Sequence, residues 1–245
     1  MVDPQSLSAI IEYMETDERV AATSGLIFYG DGKTIYSAGG IVTELGNARG
    51  VCWMTELAEC PSSLKEHYVT YADGAYMVVR THIIRRMSRL GKPFLDEAFL
   101  YFDDYVLGLT LWNRGYKVMY YPVKAGLHYA HKTTKPVINY YGIRAHVALM
   151  RILKSRLAPL STLHILRRLA VHSGLCLTGV TESCSLVRAI YDGFELASIA
   201  RKKLGPLILY RAPHVASRVN ELKCHTLGLC KELLKISHND IRYLA

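Results

Sequence analysis

The apolar pattern changes character near residue 134, and this change limits the possible folds more than any single motif does. Ahead of it, short β-type runs alternate with helical ones and are punctuated by glycine. Behind it, nearly every apolar residue falls at helical spacing. A front that alternates strand, helix and strand predicts an α/β layer; a rear without strands predicts a helical region packed on it or beside it. The expected division is therefore an α/β part over 1–134 and a helical part over 135–245.

In the front, Pro4 suits a first helical turn, and Leu7, Ile10, Ile11 and Met14 recur at helical spacing, predicting a helix over 4–18. Residues 20–29 read as a strand interrupted by Gly25. Gly30-Asp31-Gly32 turns the chain into a hairpin with 34–37. The glycines at 39–40 and 46–50 read as loop, and 51–67 carries no clear pattern. A strand region over 68–80 breaks at Asp73-Gly74. A helix follows over 81–90, with Thr81 as its N-cap and Gly91 as its stop. Asp103 and Asp104 open another helix, where acids complement the helix dipole, and Gly115 ends it. A short strand over 117–121 is expected to stop at Pro122.

In the rear, Ile143, Val147, Met150, Leu153 and Leu157 line one helix face, with Arg144 and Arg151 on its flank. Pro159 breaks that helix. Further helices are predicted over 161–175, 182–203 and 216–236, with Pro206 and Pro213 at the joint before the last.

Charge follows the same division. Residues 1–134 carry 13 Lys+Arg and 15 Asp+Glu, a net −2; residues 135–245 carry 17 and 6, a net +11. A basic region suits nucleic acid, anionic lipid or phosphorylated substrates. Nucleic acid is disfavoured, because the rear has no zinc, KH or RRM signature. Basic helices with Leu and Ile faces fit a membrane surface better. Half of the chain is hydrophobic and 21% is charged, which excludes wholesale disorder. No window of about 18 apolar residues is free of charge, so no spanning helix is predicted. The acidic start MVDPQSLSAIIEYMETDE lacks the basic, then apolar, pattern of a signal peptide. A cytoplasmic location follows as the expectation, with the inner face of the membrane as a peripheral site. The six cysteines, at 52, 60, 176, 184, 224 and 230, form no C-x-x-C pair. They read as buried or free thiols of a reducing compartment; a bridge between Cys52 and Cys60 is compatible with the spacing but not demanded by it.

Three places can carry chemistry. Asp96, Glu97, Asp103 and Asp104 are interleaved with aromatics over 94–104. Adjacent carboxylates near aromatic rings can be driven to different pKa values, and one of them can act as a general base. On spacing alone, an acidic helix start is the simpler reading. Asp73-Gly74-Ala75 sits in an apolar strand, where glycine permits close approach of a ligand, or marks a bulge. His128 and His131 could take part in a metal site, although two ligands do not make one.

Their order adds weight. DGAYMVVR (73–80), KPFLDEAFLYFDD (92–104), NRGYKVMYYP (113–122) and the histidine of AGLHYAH (125–131) together resemble the second half of family 2 glycosyltransferases, notably the rhamnosyltransferase-like branch. The resemblance covers roughly 2–135. It implies a partial GT-A-like α/β domain that transfers a sugar from a nucleotide-sugar donor to a hydroxyl acceptor, a glycan or lipid-linked glycan, with inversion. In that scheme Asp104 matches the catalytic base, and Asp103, where the family usually has Glu, orients the acceptor or the base. Asp73, Gly74, Ala75 and Trp112 would bind substrate. His128 would be a ligand near the diphosphate and its divalent cation, Mg²⁺ or Mn²⁺. Positions that in the family often hold a further acid and an Arg carry Val106 and Thr110. The family's nucleotide-binding strands and Asp-x-Asp motif lie upstream of the segment that begins here. The resemblance therefore implies a truncated reading, half of a split enzyme completed by a second chain, or a relic with a binding role, in that order. The alternative function is a non-catalytic binding or scaffold protein.

Overall fold

The computed structural model describes residues 2–87, 91–129, 135–217 and 238–243, and the fold is mixed α/β. Helix α1 (Ser6–Glu15) buries Ser6, Ile10 and Met14, one narrow line at four-residue spacing. Leu7 and Ile11, expected on the same apolar face, are exposed. The helix meets the sheet where Ile10 and Met14 pack with Val20 and Met119, and Tyr13 stacks on Tyr121 beside them.

Strand β1 (Val20–Tyr29) is buried along nearly its whole length, as befits a strand inside a parallel pair. Strand β2 (Ile35–Ser37) returns antiparallel to its end, completing the predicted hairpin. Asp31 shapes the turn by accepting the N–H groups of Lys33 and Thr34, each at 2.9 Å. Strands β3 (Gly40–Thr43) and β4 (Ala48–Gly50) pair with each other, where the sequence suggested loop. Gly40 belongs there because a Cβ would run into the Tyr71 ring, so this glycine marks close packing rather than a turn. Residues 51–66 hold two short 3-10 turns, Leu57–Glu59 and Pro61–Leu64. They precede β5 (His67–Tyr68) and β6 (Met77–Val79), the two ends of the region broken at Asp73-Gly74.

Helix α2 (Thr81–Met87) begins at Thr81, as predicted, but Thr81 is its first residue rather than its cap, since the Arg80 carbonyl accepts the Ile84 N–H. Helix α3 (Asp103–Asn113) opens on the acid pair, as predicted. Strand β7 (Lys117–His128) does not stop at Pro122. Its register against β1 shifts between Ser24 and Leu26, opposite Tyr120 and Lys124, and Pro122 falls in that irregularity, where a missing N–H breaks no ladder bond. Strands β1 and β7 are parallel from Val20 beside Lys117 to Tyr29 beside His128. The first sheet runs β2-β1-β7-β5, and β6 pairs with the start of β1.

The rear contributes α4 (Lys135–Ile152), β8 (Leu153–Lys154), α5 (Ala158–Leu177), α6 (Thr181–Leu204), β9 (Leu207–Ile208), β10 (His214–Val215) and β11 (Ile241–Arg242). Pro159 sits in the first turn of α5 and so opens that helix. Gly193 brings α6 against α4, because a Cβ there would lie 2.8 Å from the Arg144 carbonyl oxygen. The helix predicted over 216–236 lies, from 218 onward, outside the described residues, as do His131, Cys224 and Cys230. The rear is not purely helical. Strand β10 pairs in parallel with β3, giving a second sheet ordered β11-β10-β3-β4. One core cluster joins Val42, Tyr71, Phe102, Val106 and Leu109 from the front to Ala148, Leu149, Leu196, Ala200 and Leu209 from the rear. Residue 134 thus separates two patterns of secondary structure but does not separate two cores. Cys52 is bonded to Cys60 and Cys176 to Cys184, so these four are not the free thiols that the spacing suggested.

Candidate functional site

Helix α3 feeds β7, which lies parallel to β1. The amino end of α3 therefore sits at the carboxyl ends of both strands, the place where open α/β sheets bind ligands. Asp104 stands in this first turn. It is only partly open to solvent. Its Oδ1 accepts the Tyr105 N–H at 2.9 Å and its Oδ2 the Gly74 N–H at 3.3 Å. Burial, then the charge of Asp73, pushes its pKa up to about 7 against the pull of those two N–H groups.

Asp73 faces Asp104 across the crevice. Its Oδ1 accepts the Ala75 N–H at 2.9 Å. Burial raises its pKa, while the Ala75 N–H, the Ser37 hydroxyl and His128 lower it. The His128 ring stacks on Tyr36 with centroids 4.2 Å apart. The structure thus gathers Asp73, Gly74, Ala75, Asp104 and His128, five of the residues singled out in the sequence. Gly74 leaves room: a Cβ there would make only ordinary contact with Asp104, at 3.5 Å from Oδ2.

Two others go elsewhere. Asp103 turns toward α4, where burial raises its pKa and Arg144 lowers it, and its buried Oδ1 has no hydrogen-bond partner among the described residues. Trp112 is two turns along α3 and donates its indole N–H to the Val69 carbonyl at 2.9 Å. It lines a groove of ≈ 620 Å³ with Tyr13, Tyr68 and Lys117, at the amino ends of β1 and β7 and away from Asp104.

Tyr36, Tyr71 and Tyr105 were not singled out in the sequence. Burial, together with the charges of Asp73 and Asp104, raises all three pKa values. They are thus proton-bearing phenols around the two carboxylates. Tyr29 packs edge-on against Tyr36 and accepts the Trp53 indole N–H at 2.8 Å. The only signal available for these residues was the large number of tyrosines, 17, which does not say where they meet.

The segment before the acid pair is strained. Phe99 and Tyr101 adopt φ values of +67° and +62°, a region that bulky side chains rarely enter and that costs on the order of 1–3 kcal/mol each. The rear holds this segment. Arg144 of α4 donates to the carbonyls of Glu97 and Ala98, the latter at 2.8 Å. Lys203 of α6 pairs with Glu97 at 2.6 Å. Part of the positive charge behind residue 134 therefore serves to fix the loop that presents Asp104.

Among the described residues no three His, Cys, Asp or Glu side chains converge as metal ligands, so these residues by themselves do not form a three-ligand cation site. What the crevice can do chemically is accept a proton at Asp104 and offer phenol donors beside it. Comparison with protein-family models, with curated proteins and with solved structures finds no match.

Proposed function

We propose that this protein acts as an inverting glycosyltransferase, with Asp104 as the base that activates the acceptor hydroxyl. The observation that carries this reading is a carboxyl group with a pKa of about 7, at the carboxyl ends of two parallel strands and facing a second acid. A base works best when its pKa lies near the working pH, since it is then both ionised and a useful proton acceptor. The N–H groups of Gly74 and Tyr105 orient the Asp104 carboxylate toward the crevice. As the acceptor oxygen attacks the anomeric carbon, its proton passes to Asp104. The bond from that carbon to the phosphate oxygen breaks, and the nucleoside diphosphate leaves from the opposite face. The leaving diphosphate needs charge compensation. This reading assigns no described side chain to that task and gives the chain the acceptor side of the reaction.

The test is nucleoside diphosphate release from a panel of sugar nucleotides with hydroxyl acceptors, with the chain alone and with the chain joined to an upstream nucleotide-binding half. Turnover lost in Asp104→Asn supports the reading, and turnover unchanged in that variant refutes the base. The second reading is a non-catalytic binding protein. It predicts glycan binding without turnover in either format.

A further inference from the structure

Helix α5 has two unlike faces. Ser161, His164 and Ile165 turn inward and are buried. On the opposite side Leu163, Leu166 and Leu177 are 53%, 53% and 89% exposed, with Ala170 and Gly174 exposed between them. At about 100° per residue, positions 163, 166, 170, 174 and 177 form one stripe. A helix face turned to water normally carries polar side chains there.

The charge on α5 is of one sign. The helix contains no Asp or Glu; Arg167 lies beside the outer stripe, while Arg168, in line with Ser161, His164 and Ile165, lies on the inner face. Neither arginine takes part in an ion pair among the described residues; the Arg167 Nε is itself buried and has no hydrogen-bond partner among them. The Cys176–Cys184 bond ties the end of α5 to the start of α6, so that Leu177 and Val180 project at the tip of a cross-linked hairpin.

We propose that the outer face of α5, with this tip, seats the protein on an anionic lipid surface. An apolar stripe carrying arginine and no acid matches the boundary between acyl chains and negative headgroups. A second copy of the chain fits less well, because pairing two such faces would bring their arginines together. The helix would lie along the surface, since no described helix is long and apolar enough to cross a membrane. This proposal does not depend on the transferase reading.

The test is co-sedimentation of the full chain with phosphatidylcholine vesicles with and without phosphatidylserine. Binding is expected only with phosphatidylserine, and it should weaken as salt rises. Replacing the two leucines in the first half of the stripe (L163S/L166S) should weaken it by about tenfold or more. Arg167→Gln should weaken it by roughly fivefold, the share of one basic side chain near a charged surface. Absence of binding to phosphatidylserine vesicles at low salt overturns the proposal. So does undiminished binding by L163S/L166S, or a dimer that this variant dissolves while the parent ignores lipid. If L163S/L166S loses its circular dichroism spectrum, Arg167→Gln decides: affinity equal to the parent overturns the proposal.

Discussion

Asp104 and Asp17 occupy opposite ends of the same parallel strand pair, and their surroundings drive them in opposite directions. At the amino ends, Asp17 receives Lys117 at 2.7 Å and the Arg19 N–H at 2.9 Å. These bonds hold its pKa down at about 2. At the carboxyl ends, Asp104 receives two backbone N–H groups and no cation, and burial beside Asp73 holds its pKa up at about 7. An open groove of ≈ 620 Å³ lies at the amino ends. Space alone therefore does not mark the chemistry; an uncompensated charge does. Where the carboxylate is satisfied it acts as a strut, and where it is not it can take a proton.

The contrast can be broken most severely by removing the base. Asp104→Asn should lower transfer by ~10²- to 10⁴-fold, while Tyr13→Phe, in the amino-end groove, should stay near the parent rate; both are read from initial rates of nucleoside diphosphate release. Next, Arg144→Ala frees the strained 97–101 segment and should lower kcat by up to ~10²-fold through misplacement of Asp104. As Arg144 is a positioning residue, the pH midpoint should also move, which simple loss of folded protein would not cause. Third, the raised Asp104 pKa stabilises the fold fully below the unfolded value near pH 4, and that contribution is lost as pH rises through about 7. Asp104→Asn should therefore melt like the parent at pH 4 and be more stable by ~2 kcal/mol at pH 8, measured by denaturant unfolding. The smallest effect has the opposite sign. The depressed Asp17 pKa contributes above the unfolded value near 4 and is lost as pH falls through about 2. Asp17→Asn should cost under ~1 kcal/mol at pH 7, because the pair is partly exposed.

What the sequence revealed and what it hid divide along the range of the interactions. The β1–β2 hairpin, the start of α3 and its stop at Gly115 rest on signals within a few residues, and each stands where it was read. Strand β3 was hidden because the partner of its far edge, His214–Val215, arrives late in the chain, and because Gly40 imitates a turn. Gly108 gives no warning inside an apolar helix, yet a Cβ there would strike the Thr70 carbonyl oxygen, so it sets how closely α3 approaches the Asp73 segment. The acids of the site were legible as residues. The Asp73–Asp104 pairing depends on α3 folding back along the sheet, and the Arg144 clamp crosses from one apolar pattern to the other. Trp112 shares a helix with Asp104, but two turns of rise carried it to the other end of the layer.

The parallel pairing of β3 with β10 also bears on how the chain is made. Val215 pairs with Thr43, so the edge of β3 waits for a segment 172 residues downstream. At ribosomal speeds of about 5–20 residues per second, that edge stays open for roughly 10–35 s. An unpaired edge is a template for the wrong neighbour. Newly made chains should therefore aggregate less when synthesis outpaces their encounters with one another, because the segment that covers this edge, His214–Val215, is made long after the edge itself.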